Sequence, residues 1–165
     1  MRLTLSDRRS LVAVIMDNLV IKIADFSLDF PAIQHIRSVV FQIEQGVAAE
    51  LEFDGHDGAA DHLLAYLDGQ PVGTARIRKL DHNTAKVERV AVLKSARGFG
   101  IGKRIMIEAL AFLRKAHVAE VCIHAQEAVR DFYQRLGFKP EGEIFFEAGI
   151  PHVKMKKLLT SQTGR

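Results

Sequence analysis

An apolar strand that runs through a loop of three alternating glycines into a long amphipathic helix constrains this chain most. Val90-Ala91-Val92-Leu93-Lys94-Ser95-Ala96-Arg97 leads into Gly98-Phe99-Gly100-Ile101-Gly102-Lys103. Glycine takes positive φ at little cost, so such a loop turns tightly and aims several N–H groups at one point. The helix that follows adds the positive end of its dipole. With Arg97, Lys103 and Arg104 at the same end, this is an anion site suited to a diphosphate. An ordinary strand–helix turn is the alternative for a glycine triplet taken alone. Two other phosphate loops fit poorly. A P-loop needs Gly at 97 and Ser or Thr at 104, where this chain has Arg97 and Arg104. A dinucleotide turn starting at Gly98 needs Gly or Ala at 103, which is Lys103, and an acid about 20 residues on, where Glu120 is the only acid.

The remaining pattern predicts one α/β domain with a mixed, mostly antiparallel sheet. Leu19 to Phe26 alternates like a strand. Pro31 opens a helix carrying Ile33, Ile36, Arg37, Val40, Phe41 and Glu44, with Gly46 as its stop. Residues 46–61 form a long loop with one helical turn. His62–Asp68 and Pro71–Leu80 are strands joined by a turn at Asp68-Gly69-Gln70, and Ala85–Leu93 is the next strand. The helix after the glycines presents Ile101, Ile105, Ala109, Phe112 and Leu113 on one face. Val118–His124 is a buried strand, Glu127–Leu136 a helix capped by Gly137, and Phe138–Phe146 and Ile150–Leu158 are the last two strands. A meander of strands followed by a β-α-β crossover is the topology expected. Residues 1–18 are an arm or a short helix capped at Ser6-Asp7, residues 19–158 the domain, and residues 159–165 a tail.

At 165 residues, the chain is long enough for one core and too short for two ordinary domains. It has 23 Lys and Arg against 20 Asp and Glu, too small an excess for a general nucleic-acid binder. The charges are segregated. Glu44, Glu50, Glu52, Asp54, Asp57, Asp61 and Asp68 occupy a stretch without Lys or Arg, whereas Lys94 to Lys115 is basic apart from Glu108. The acidic stretch is either a solvated loop or the border of a cleft that attracts a cation, such as a polyamine or a basic peptide. A single cysteine excludes a disulfide framework and fits a reducing cytoplasm. Cys122 has apolar strand neighbours and is expected to be a small buried hydrophobe. No apolar run approaches the ~20 residues of a membrane span, and no signal peptide is recognisable. None of the histidines has metal-site spacing; His56 and His62 are six apart, so no metal is expected.

The glycine loop also resembles a known family. Arg97-Gly98-Phe99-Gly100-Ile101-Gly102 is similar to the R/Q-x-x-G-x-G/A motif of GNAT N-acetyltransferases. A second stretch, Gln126 through Tyr133 to Gly137-Phe138, resembles that family's N-x-x-A-x-x-x-Y-x-x-x-G-F, with Gln126 in place of Asn. Phe41 to Val47, Gly73-Thr74-Ala75-Arg76 and Gly149-Ile150-Pro151-His152 resemble the small bacterial ElaA-like branch. The likeness covers about residues 19–157.

The resemblance implies a single-domain fold with helices on both faces of the sheet, and acetyl transfer from acetyl-CoA to a primary amine without a metal. It implies that the N–H groups of Arg97, Gly98, Phe99, Gly100, Ile101, Gly102 and Lys103 hold the diphosphate. The pantetheine arm would pair with the backbone of Val90, Ala91 and Val92, where the strand splays from its neighbour, and Gln126 would lie beside the cofactor. Tyr133 would serve the thiolate leaving group; the chain has two tyrosines against ten phenylalanines. Glu88, expected on the same side of its strand as Val90 and Val92, is the candidate base. Its bland alternative is an ion pair with Arg76 or Arg78. Glu44 and His152 are weaker candidates. The acceptor amine is not named by any of these residues, and a homodimer is left open. A non-catalytic acyl-CoA-binding or interaction module with the same fold is the competing reading.

Overall fold

The structure is a computed structural model that describes residues 4–159. Helix α1 spans Leu5–Asp17, strand β1 Leu19–Ile23 and helix α2 Phe26–Arg37; α2 continues into a wider π-helical stretch, Ser38–Glu44. A short helix α3, Ala49–Glu52, and a 3-10 turn, Asp57–Ala59, punctuate the acidic segment. Strands β2 (Asp61–Leu67), β3 (Gln70–Lys79) and β4 (Thr84–Val92) form the meander. Helix α4 (Ile101–Lys115), β5 (Glu120–Gln126), α5 (Arg130–Arg135), β6 (Lys139–Glu147) and β7 (Ile150–Leu158) complete the fold.

The strands form one seven-stranded sheet in the order β1-β2-β3-β4-β5-β7-β6. Every neighbouring pair is antiparallel except β4 with β5. The inner strands bury both faces, and each face has its own apolar cover. On one side, Ile101, Ile105, Met106, Ala109, Leu110 and Leu113 of α4 pack on Leu63, Ala75, Ile77, Val87 and Ile123. On the other, Ile33, Ile36 and Val40 pack on Leu64 and Ala91. Arg114 and Lys115 lie in the last turn of α4, where they complement its dipole.

Two local expectations are corrected, and a third, the burial of Cys122, is met. Helix α1 forms, but Thr4 caps it in a reciprocal box with Asp7 rather than Ser6 or Asp7 capping it themselves. Pro31 lies inside α2, not at its start, because the Asp25 side chain accepts from the N–H groups of Ser27 and Leu28 and begins the helix earlier. Cys122 is 6% exposed, but its partners across the neighbouring strands are Lys86 and Lys156. Burial pushes its thiol pKa up, so it is no nucleophile. Most of the tail, residues 160–165, lies outside the described residues. Among those described, no helix is long and apolar enough to cross a membrane.

Candidate active site

The only parallel pairing in the sheet is short. Thr84, Ala85 and Lys86 register with Glu120, Val121 and Cys122, and beyond them the two strands part. A bulge lies beside the opening. Arg76 registers with Glu88 and Thr74 with Ala91, so β4 carries one residue more than β3 over this interval. Arg89 in the bulge has φ +57, a left-handed conformation that costs a non-glycine residue about 1–3 kcal/mol. It is held there by Glu52, whose Oε2 lies 3.0 Å from Nε, and by Asp54, whose Oδ2 lies 3.2 Å from Nη2.

The parted strands open into a cleft of about 680 Å³. Val90, Ala91 and Val92 line one wall, and Ile123, Gln126 and Tyr133 line the other. Past Lys86 the facing edges of β4 and β5 are not hydrogen-bonded to each other, so β4 has backbone groups available to an extended ligand. Gln126 Nε2 donates to Gln45 Oε1 at 2.9 Å and bridges to the end of the π-helical stretch. Tyr133 is half-buried and packs edge-on against Phe132 and Phe138. Burial pushes its hydroxyl up to about 12, and that hydroxyl has no protein hydrogen-bond partner among the described residues.

The glycine loop continues from Arg97 beyond the cleft lining. Gly98 and Gly100 have φ +85 and +84, and Gly100 occupies the N-cap position of α4 without any side-chain cap. The first-turn N–H groups of α4, Ile101 to Lys103, have no intrahelical acceptor by the geometry of any α-helix. The Ile101 side chain is buried in the core, so only its backbone can serve a ligand, whereas the Lys103 side chain is exposed. Arg97 is committed elsewhere: its guanidinium lies 2.8 Å from Glu44, and Nε donates to Val92 O at 2.8 Å. Arg97 therefore offers a ligand its backbone rather than a free charge. Because Gly98 has open space where a Cβ would stand, Gly98→Ala tests backbone strain alone. The left-handed φ should cost about 1–2 kcal/mol, visible as a lower Tm and weaker acetyl-CoA affinity by calorimetry.

Glu88 lies in the same cleft, on the other side of the strand from Val90 and Val92. The extra residue at Arg89 flips the alternation, so Glu88 shares the α2 face with Ala91. Its carboxylate lies 2.8 Å from Arg76, 3.2 Å from Arg78 and 3.3 Å from Lys86. Burial alone would raise its pKa; these cations and Arg89 more than offset that, and the net shift is downward.

Of the seven acids of this segment, Glu44, Glu52, Asp54 and Asp57 are paired with arginines, whereas Glu50 and Asp68 are exposed. Arg37, fully buried, sets Nε 2.6 Å from Glu52 and Nη1 2.6 Å from Asp57. Arg76, also fully buried, binds Asp54 and Asp57 as well as Glu88. His62 donates from Nε2 to Asp57 O at 2.9 Å, and burial lowers its pKa, so it is a neutral structural residue. The sequence names Arg76 and Arg78 as ion-pair partners of Glu88, and the structure forms both pairs; it gives Arg37 and Arg89 no part in the site. The available signal was an arginine on the apolar stripe of a helix, which must find acids, and the nearest surplus is residues 44–68.

His152 is 8% exposed and lines the cleft. Its Nδ1 donates to Ile150 O at 2.7 Å, and its Nε2 lies 3.9 Å from Glu147 Oε2. Glu44 does not reach the cleft as a free base, being paired with Arg97. Lys86, His124 and Glu147, not singled out by sequence, complete the far wall, with His124 Nδ1 2.6 Å from Glu147.

Residues 34–159 match the GNAT acetyltransferase domain. The chain is 36% identical to the uncharacterized N-acetyltransferase YjcF of Bacillus subtilis, over 74% of this chain and 88% of that one. It is 32% identical to ElaA of Escherichia coli, over 76% of this chain and 85% of that one. The crystal structure of E. coli ElaA superposes with a TM-score of 0.76, covering 84% of this chain and 99% of that one. A GNAT family acetyltransferase from Elizabethkingia anophelis, solved with acetyl-CoA bound, shares the fold at a TM-score of 0.70 and 17% identity, over 87% of this chain and 99% of that one.

Proposed function

The chain belongs to the GNAT acetyltransferase family, and from that membership we propose that it transfers an acetyl group from acetyl-CoA to a primary amine of a small molecule or peptide. The observation that supports this is the parting of β4 from β5 into a cleft with Val90–Val92 on one wall and Tyr133 on the other. The pantetheine arm adds to β4 as an extended segment. The diphosphate sits on the N–H groups of Arg97, Gly98, Phe99, Gly100, Ile101, Gly102 and Lys103, and Gln126 flanks the thioester end.

In the reaction the amine nitrogen attacks the thioester carbonyl, an N–C bond forms, the C–S bond breaks, and the electron pair leaves with sulfur. Tyr133 donates a hydrogen bond to that sulfur. The amine must first lose a proton, and the cations around Glu88 favour its neutral form. Glu88 takes the proton through a water and, being a weak base among its cations, releases it to bulk solvent through the open cleft; the nitrogen loses its second proton to water as the tetrahedral adduct collapses to the amide and the thiolate. His152, whose Nε2 lies 3.9 Å from Glu147 in the cleft, is the alternative acceptor.

A saturable ligand that binds only the folded chain stabilises it by about 2.7 kcal/mol at a hundredfold excess over its Kd. Acetyl-CoA is therefore expected to raise Tm by several degrees and to give a one-to-one isotherm; no shift and no heat at millimolar acetyl-CoA would refute the proposal. One observation favours a silent acyl-CoA-binding module instead: Glu88 is surrounded by cations. Acceptor-dependent release of free thiol distinguishes the two.

A further inference from the structure

The far wall of the cleft carries two cations that hold no part of acetyl-CoA in the proposed reaction. Arg78 on β3 registers directly with Lys86 on β4. Both line the cleft, with side chains 26% and 17% exposed. Among the described residues, the only acid either of them reaches is Glu88. That carboxylate is already committed behind the wall, where Arg76 donates to its Oε1 from Nε at 3.1 Å and from Nη2 at 2.8 Å. Arg78 makes a single longer contact through Nη1, at 3.2 Å, and Lys86 stands 3.3 Å from Oε2. Two cations that face the cleft thus share the remainder of one carboxylate.

Most acids that could have offset them are tied up. Glu52 and Asp57 belong to Arg37, and Asp54 belongs to Arg76 and Arg89. Glu147, at the exposed edge of the cleft, lies 2.6 Å from His124 Nδ1 and 3.9 Å from His152 Nε2. An amine entering the cleft therefore meets Arg78 and Lys86 beside Glu88, with Glu147 as the one lining carboxylate not paired to a lysine or arginine among the described residues, so the acidic segment gives no reason to expect a polycationic acceptor. We infer that the acceptor is an amine that also carries a carboxylate, and that Arg78 and Lys86 bind this carboxylate and so direct the amino group toward the thioester end of the cleft. The inference rests on the acetyl-transfer reading. It adds the second polar group of the substrate and the residues that select it.

The test is a thiol-release assay with matched acceptors: amino acids, the same amino acids as C-terminal amides, and spermidine. A charge-assisted hydrogen bond removed from such a site costs about tenfold or more in binding. Each amino acid should therefore exceed its amide in kcat/KM by about tenfold or more, with spermidine poorest. Arg78→Gln and Lys86→Gln should each raise the KM for the amino acid about tenfold and flatten the preference over the amide, while leaving the KM for acetyl-CoA unchanged. Lys86→Met provides a second variant that keeps the apolar stem, and Tm reports whether each variant is folded. Turnover of amides or spermidine in preference to amino acids overturns the inference and leaves acetyl transfer standing, as does an acid-over-amide preference that survives both substitutions. Saturable acetyl-CoA binding with no thiol release from any acceptor overturns acetyl transfer, and the inference with it.

Discussion

Tyr133→Phe is expected to lower kcat by about 10²–10³, within the range that positioned proton donors contribute, while acetyl-CoA affinity changes less than about twofold. The hydroxyl is half-buried on the cleft wall, lacks a protein partner among the described residues, and is raised to about 12. At neutral pH it is therefore a phenol, ready to donate. Full proton transfer from such a group to a thiolate, whose conjugate acid lies near 8.5 by ordinary thiol values, would run uphill by about three units. Its contribution is thus a hydrogen bond that strengthens as charge reaches sulfur, a stabilisation of the transition state and not of bound substrate. The ring itself rests on Phe132 and Phe138, and phenylalanine preserves that packing. An unchanged kcat in the folded variant removes Tyr133 from the chemistry.

Arg37→Met should lose about 3 kcal/mol of stability, because it removes one of the two cations held by each of the buried acids Glu52 and Asp57, leaving them only Arg89 and Arg76. For a domain of this size that corresponds to a Tm lower by about 10 °C. Activity should fall with it, since Glu52 also holds Arg89 in the bulge beside the cleft. The pH dependence of stability carries the same network. Arg76 holds Asp54 well below the usual carboxylate range. Burial would raise Asp57 and Glu88, but their cations lower both on balance. These three groups bind protons less readily when folded, so they stabilise the fold above the unfolded value of about 4 and lose that contribution as pH falls through their native values. Glu52 runs the other way. Burial raises it beyond what Arg37 offsets, so it contributes no acid-labile stability of this kind. His62, lowered by burial, refuses a proton that the unfolded chain accepts below about 6.5. Stability measured by urea unfolding should therefore decline gently below about pH 6.5 and steeply below about pH 4. The steep limb should shrink slightly in Arg37→Met, which touches Asp57 but neither Asp54 nor Glu88, and an identical limb in that variant would separate Asp57 from the acid response.

Much of the fold was legible because its signals are local. The turn at Asp68-Gly69, the apolar stripe of α4 and the glycine loop each depend on neighbours a few residues apart, and the structure forms each of them. The start of α2 was less legible, because the Asp25 cap and Pro31 give competing signals and either can begin a helix. The candidate site was legible in part. Val90, Ala91, Val92, Arg97, Gln126, Tyr133 and Glu88 all reach one cleft. The orientation of Glu88 was not, because strict alternation holds only while a strand has no extra residue, and the bulge at Arg89 lies between Glu88 and Val90.

The chain's own order of residues determined the strand, the glycine turn and the helix, and with them a place for an anionic cofactor, since φ preference and helix dipole act within a few residues. Only the tertiary structure decided what the charged segments mean. Coulomb energy depends on distance in space, and the fold brings Arg37, Arg76 and Arg89 onto acids that are far from them along the chain. With those acids paired, Arg78 and Lys86 face the cleft on one side and Glu147 on the other, and a segment that reads as a cation trap becomes the support for a wall proposed to select a carboxylate.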